Sequence, residues 1–189
     1  MLWSIVNGEK KLATPNEIGE CPLCKGKTIS RCGSINKWHW SHKTKKDCDL
    51  WYEPETEWHI NWKNKFPKKN QEIIIGKHRA DIISNNGVII ELQNSPISSD
   101  DIINRENFYV KLVWLFNGKN FAKNMELRKN ENYFTFRWYH PQKSLWFCKK
   151  PIYIDFESKI FCIRKLYSNL PCGGWGFFVS EKEFLEKYV

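Results

Sequence analysis

His78-Arg79-Ala80-Asp81-Ile82-Ile83-Ser84-Asn85-Asn86-Gly87-Val88-Ile89-Ile90-Glu91-Leu92-Gln93 is the stretch whose reading decides the fold. Two apolar, β-branched runs flank Asn85-Asn86-Gly87, the pattern of a β-hairpin in which a glycine takes the positive φ that closes the loop. Register then decides whether a site exists. A three-residue loop with Gly87 as the bulge residue pairs Ser84 with Val88, and counting outward sets Asp81 opposite Glu91 and Arg79 opposite Gln93, each pair on a shared face. A two-residue loop would pair Ile82 with Glu91 and turn Asp81 away, because a one-residue slip exchanges the faces. In the first register two carboxylates confront each other between strands of Ile and Val and need a positive partner. Hard, oxygen-preferring Mg²⁺ (or Mn²⁺) suits Asp81 and Glu91, and such an ion activates water and stabilises charge on a phosphate oxygen. Arg79 and neighbouring lysines are the bland alternative, pairing the acids on a solvated face.

The rest of the chain bears on that choice. At 189 residues it can bury a real core, and its length predicts one or two domains. Thirty basic against twenty-one acidic residues leave a net charge of +9, a surplus that favours a polyanionic partner such as DNA. Aromatic side chains make up 15% of the chain, enough to fill cores and also to stack on unpaired bases. Met1 to Lys10 lacks the layout of a secretory signal, and no apolar run reaches membrane-spanning length, so the expectation is a cytoplasmic protein with no membrane partner.

Four of the seven cysteines fall within the first 48 residues, which in a reducing compartment argues for a metal before disulfides. Residues 1–54 read as a separate module: a small hairpin over Leu2 to Ala13 around Asn7-Gly8, then Cys21-Pro22-Leu23-Cys24, whose two intervening residues let a tight turn aim both thiolates at one ion. Cys21, Cys24, His42 and Cys48 are the preferred zinc ligands, because His42 and Cys48 frame the lysine-rich loop Lys43 to Asp47. His39 is the leading substitute for His42, and if Trp38 to His42 is a strand the two histidines point to opposite faces. Four protein ligands leave no open position, so the zinc would be structural. Reduced, unliganded thiols are the alternative.

Between this module and the hairpin, Pro54 to Pro67 carries helix boundary signals at both ends, with Trp58, Trp62 and Phe66 as an apolar stripe. Glu57, with Asn61 and Asn64, runs along another face, and His59 and Lys63 along a third. After the hairpin, Ser98 with Asp101 caps a helix to about Tyr109, and Arg105 stands one turn from Asp101, an available ion-pair partner. A strand follows over Val110 to Phe116. Residues 55–118 therefore form an α/β core. Residues 119–189 read as a small antiparallel sheet of aromatic strands, at Tyr133 to Trp138, Ser144 to Cys148, Ile152 to Phe156, Ile160 to Lys165 and Gly173 to Val179. One helix capped by Ser180 and Glu183 completes this β-rich region.

Asp81, then Glu91 and Gln93 on the next strand, resembles the PD-(D/E)xK nuclease signature, with Gln93 where that motif usually has Lys. More specifically, Arg79-Ala80-Asp81, Ile90 to Ser98, Arg105 and Phe108-Tyr109, preceded by Cys21-Pro22-Leu23-Cys24 and His39-Trp40-Ser41-His42, are similar to the competence protein CoiA-like family of nucleases, from about Cys21 to Gly118. The resemblance implies a restriction-endonuclease-like fold and a metal-dependent DNA nuclease or DNA-processing protein acting in DNA uptake, recombination or mobile-element biology, with proteins of those processes as possible partners. It also implies site roles. A helix glutamate that reaches the metal is matched by Glu57, a His and a Lys of the pattern by His59 and Lys63, and a basic phosphate contact by Arg105 beside Arg79. Lys63 would stand in for the missing motif lysine, while neutral Gln93 orients water or the phosphate without supplying charge. The rival reading is a zinc-stabilised nucleic-acid-binding adaptor with an inactive nuclease core.

Overall fold

The computed structural model describes every residue except Asn36, Lys45 to Asp47 and Leu170, with the side chain of Asn120 also left aside. The central part of the expected lysine-rich loop therefore lies outside the described residues. The chain forms two compact units, Met1–Ile83 and Ser84–Val189.

In the first unit, β1 (Trp3–Val6) and β2 (Glu9–Leu12) form the expected hairpin, turning through Asn7 and Gly8, both at positive φ. With β3 (Ile18–Glu20), β4 (Lys27–Arg31) and β5 (His39–His42) they make an antiparallel sheet in the order β2-β1-β3-β4-β5. Helix α1 (Glu57–Lys63) starts at Thr56, whose hydroxyl accepts the His59 N–H. Its buried face is His59, Ile60, Trp62 and Lys63, so the histidine and lysine share the inward side with the apolar residues. A second hairpin, β6 (Gln71–Ile75) and β7 (His78–Ile83), closes the unit, with Gln71 opposite Ile82 and Ile73 opposite Ala80. Within residues 1–83, α1 and the β6–β7 hairpin supply partners to the amino-terminal strands: Ile60 packs with Leu2 and Trp3, and Glu72 accepts their backbone N–H groups.

The second unit begins with the loop on which the sequence turns. The Ser84 N–H donates to the Val88 carbonyl at 2.8 Å, the Gly87 N–H donates to the Ser84 carbonyl at 3.0 Å, and Gly87 has φ +76°. This is the three-residue loop with a glycine bulge, not the two-residue alternative. Strand β8 (Ile89–Gln93) is buried along its whole length. Helix α2 (Ser99–Phe108), capped by Ser98, carries the chain to β9 (Leu112–Asn117), which pairs parallel with β8, as a crossover helix allows. The sheet continues through β10 (Met125–Lys129), β11 (Phe134–Trp138), β12 (Ile152–Asp155), β13 (Ile160–Tyr167) and β14 (Gly173–Val179), in the order β10-β11-β14-β13-β12-β9-β8. Helix α3 (Glu181–Tyr188) ends the chain with the expected Ser180/Glu183 capping box. Past Gly118 the sheet continues, since β12 pairs parallel with β9. One expectation fails here. Ser144 to Cys148 belongs to a 3-10 turn, closed by Leu145 and Cys148 N–H bonds to Gln142 and Leu145, between Pro141 and Pro151. The protein is thus a mixed α+β chain, and no helix among its described residues is long and apolar enough to cross a membrane.

Candidate functional site

The Cys/His cluster comes from local backbone geometry. After Cys21 the chain doubles back through Lys25 at φ +59°, with the Lys25 N–H donating to the Cys21 carbonyl at 3.0 Å and the Cys21 N–H to the Gly26 carbonyl at 2.8 Å. The Gly26 N–H points at the Cys24 sulfur, 3.4 Å away. Strand β5 ends at His42 and delivers its ring: Cys24 Sγ lies 3.2 Å from His42 Nε2, and Cys21 Sγ lies 3.7 Å from Cys48 Sγ. The ligand atoms of Cys21, Cys24, His42 and Cys48 all lie within 4.8 Å of one another. Ligands about 2.0–2.3 Å from a tetrahedral zinc stand about 3.3–3.8 Å apart, so this Cys₃His set could hold such a metal. Burial, with the Cys24 and Cys21 thiols alongside, pushes the Cys48 thiol up to about 12, a cost that a bound cation reverses by stabilising the thiolate. His39 turns elsewhere, its Nδ1 2.8 Å from the Lys37 carbonyl.

A second cluster in the same unit consists of oxygen donors around one ammonium. Lys63 is fully buried and its Nζ lies 2.6 Å from Glu55, 3.0 Å from Glu72 and 3.1 Å from Asp81. Burial alone would drive its pKa down, but these carboxylates hold it well above the usual lysine value. Glu72 is a non-glycine residue at φ +46°, a conformation that costs about 1–3 kcal/mol and persists only where the surroundings fix it. They do so here: its carboxylate accepts the Leu2 and Trp3 N–H groups at 2.7 and 3.1 Å as well as Lys63. Burial would raise the Glu72 pKa, yet Lys63 and Arg79 keep it far below the ordinary range. Arg79 gains from the same field: burial opposes its charge, but Glu72, Glu55 and Asp81 raise its pKa. Asp81 keeps 22% of its side chain exposed, which makes it the carboxylate of this group nearest to solvent.

The structure sorts the helix residues differently from the sequence. Glu57 is exposed and paired with Lys37 at 3.0 Å, while Glu55, two residues earlier, enters the Lys63 cluster. His59 is buried with Nε2 3.2 Å from Glu53 and Nδ1 2.8 Å from the Thr56 hydroxyl. Burial lowers its pKa, but the Glu53 hydrogen bond and the field of Asp81 raise it above the ordinary histidine value. Glu53, Glu55 and Glu72 went unread in the sequence. An acid inside Gln71-Glu72-Ile73-Ile74-Ile75, where a buried strand wants apolar residues, was the available signal for Glu72.

In the second unit, Glu91 and Gln93 are both buried on β8. Arg105 reaches down from α2, its guanidinium 2.8 Å from Glu91 and 5.9 Å from the Trp114 ring centroid. At 7% exposure it holds Glu91, while Asp101, the alternative ion-pair partner, accepts from the Ser98 hydroxyl at 2.7 Å. Gln93 donates to the Ser95 carbonyl at 2.9 Å, and its Oε1 is a buried acceptor with no hydrogen-bond partner among the described residues. Glu55 Oε2 is another such orphan in the first unit.

The chain matches the family model of the competence protein CoiA N-terminal domain over residues 16–50 and that of the CoiA nuclease-like domain over residues 71–170. It belongs to the competence protein CoiA family. No curated protein and no solved structure matches it. In this CoiA-family chain the amino-terminal match contains all four members of the Cys₃His cluster, and the nuclease-like match runs from Gln71 at the start of β6 to Leu170, taking in Glu72, Asp81, Glu91, Gln93 and Arg105.

Proposed function

We propose that this CoiA-family chain is a cytoplasmic, Mg²⁺- or Mn²⁺-dependent DNA nuclease, hydrolysing phosphodiester bonds in DNA uptake, recombination or mobile-element biology, with a structural zinc in its amino-terminal module. The observation that carries the reading is the Lys63 ammonium 3.1 Å from Asp81. The usual nuclease signature needs an aspartate, a glutamate and a lysine; Gln93 removes the lysine from its strand, and Lys63 returns it from a helix. The three-residue loop closed by Ser84, Gly87 and Val88 is the one that the Asp81/Glu91 reading of the sequence requires.

Donor chemistry in the first unit suits a hard divalent cation: carboxylates for the charge, and an orphaned acceptor oxygen on Glu55 that such an ion or its waters would satisfy. Asp81 and Glu91 would hold it, with Glu55 taking the place the sequence gave to Glu57. When bound, such an ion lowers the pKa of water and offsets charge on the phosphate. Lys63 fixes Asp81 and, being held protonated, cannot be the general base. Arg105 fixes Glu91. His59, tied to Glu53 and Thr56, positions the start of α1. Gln93 Oε1 would accept a hydrogen bond from the attacking water and so orient it; the water gives one proton to bulk solvent as its oxygen bonds to phosphorus, the P–O bond to the sugar breaks, and the leaving oxygen takes a proton from solvent. The test is metal-dependent nicking of a labelled DNA panel, abolished in Asp81→Asn and Glu91→Gln chains that still fold.

One observation favours the adaptor reading. Asp81 and Glu91 each already carry a cation, Lys63 and Arg105, as acids do in a core that no longer needs a metal. That reading predicts DNA binding with no cleavage under any divalent ion.

A further inference from the structure

Within the second unit, β12, β13, β14, α3 and the 3-10 turn at Lys143–Phe147 line a cavity of about 490 Å³. That volume falls in the range of pockets that take one small molecule. Its lining is strongly one-signed: Lys149, Lys150, Arg164, Lys165 and Lys187 contribute to it, and Glu183 is the one carboxylate. Glu183 is occupied as the cap of α3, accepting from the Ser180 N–H and hydroxyl at 2.7 Å each. Among the described residues, none of the five cations is ion-paired with a carboxylate.

Two features show that these charges are placed. The β13–β14 register shifts between Ile163 and Lys165, leaving Arg164 as an extra residue, and such bulges recur where a strand re-aims a side chain beside a site. Arg164 lies over the Phe177 ring, 4.8 Å from its centroid. Lys187 donates to the Tyr153 hydroxyl at 3.2 Å, and that hydroxyl is 3.1 Å from the Tyr188 hydroxyl. Half-buried Trp146 and Phe177 add flat apolar surface to the same lining. A cationic rim beside aromatic faces suits a ligand with a phosphate at one end and a planar ring at the other.

We propose that this cavity binds a nucleoside phosphate, either a free nucleotide or the phosphorylated terminus of a strand. The cations take the phosphate and an aromatic face takes the base. The site does not depend on catalysis at Asp81 and Glu91.

The experiment titrates the full chain with dAMP, inorganic phosphate, and a short oligothymidylate carrying or lacking a 5′ phosphate, following heat and tryptophan fluorescence. The expected result is saturable binding of dAMP or of the phosphorylated oligomer, tighter than inorganic phosphate and weakened by salt. Arg164→Gln and Lys187→Met should each weaken it on the order of tenfold, the loss expected of one charge-assisted hydrogen bond. Their thermal midpoints should match the unaltered chain, and Lys129→Gln, on a different strand, should bind as before. Tighter binding of the phosphorylated oligomer than of dAMP identifies a strand end, and equal binding a free nucleotide; both sustain the site. No binding of either, binding indifferent to Arg164 and Lys187, or phosphate binding as tight as dAMP would overturn it. An Asp81→Asn chain that neither cleaves DNA nor loses dAMP binding separates this site from the nuclease reading, whereas loss of both would overturn the independence claimed here.

Discussion

The Cys₃His cluster and the Lys63 cluster sit in the same unit and answer the same problem in opposite ways. Three thiols and an imidazole converge as a donor set that could hold a metal such as zinc. Glu55, Glu72 and Asp81 converge on an ammonium that the chain provides. A thiol-rich donor set suits a metal that stays and helps to fold the module. Carboxylates already paired with an ammonium would take a divalent ion only in competition with it, as a cofactor that comes and goes does. Breaking each cluster should therefore have different consequences.

The largest effect is expected at the Cys₃His cluster. Purified without chelator, the chain should carry about one zinc, and Cys21→Ser or strong chelation should release it and unfold the amino-terminal strands, since structural zinc contributes on the order of 10 kcal/mol in small modules. Metal analysis with circular dichroism checks this; a chain that keeps its melting profile after zinc loss would erase the contrast. Next comes Lys63→Met, which strands buried carboxylates and should cost about 3–5 kcal/mol in denaturant unfolding, whatever metal is added. A smaller and more selective effect separates Glu55 from Glu57. Glu55→Gln should slow cleavage, whereas Glu57→Gln removes one exposed ion pair, worth under about 1 kcal/mol, and should leave the rate unchanged.

The smallest effect is a pH slope. His59 has a raised folded pKa, so its stabilisation is complete below its ordinary value near ~6.5 and is lost as pH rises through the raised value. Glu72 has a depressed one, so its contribution is complete above the ordinary carboxylate range and disappears only as pH falls through the lowered value. Unfolding free energy should thus decline on the alkaline side of about 6.5, and His59→Gln should flatten that decline. A slope of the same size in both chains would assign it to another group.

What the sequence disclosed depended on how local the physics was. Gly87 and its loop, the Ser98 and Ser180 caps, and the Cys21-to-Cys48 ligand set all rest on short spacings, and each is where it was expected. The acid cluster was only half legible. The sequence singles out Lys63 but not its complete burial, which three carboxylates from separated segments make tolerable. Glu72 depends on a left-handed backbone no propensity foretells, and Glu55, inside the expected helix, stands two residues before the one that forms. Tertiary convergence, not local pattern, selected them. Four of the five expected carboxy-terminal strands form, while Ser144 to Cys148 does not and Met125–Lys129 was not foreseen. Their union with β9 into one sheet rests on a parallel pairing between Leu112–Asn117 and Ile152–Asp155 that no turn signal announces.

The most direct test is cleavage of a labelled DNA panel by the full, zinc-loaded chain with Mg²⁺ or Mn²⁺, beside an EDTA control and the Asp81→Asn chain. Nicking should require the divalent ion and vanish in Asp81→Asn while the fold and the zinc remain. Cleavage that survives that substitution, or DNA binding with no cleavage under any divalent ion, would contradict the nuclease reading.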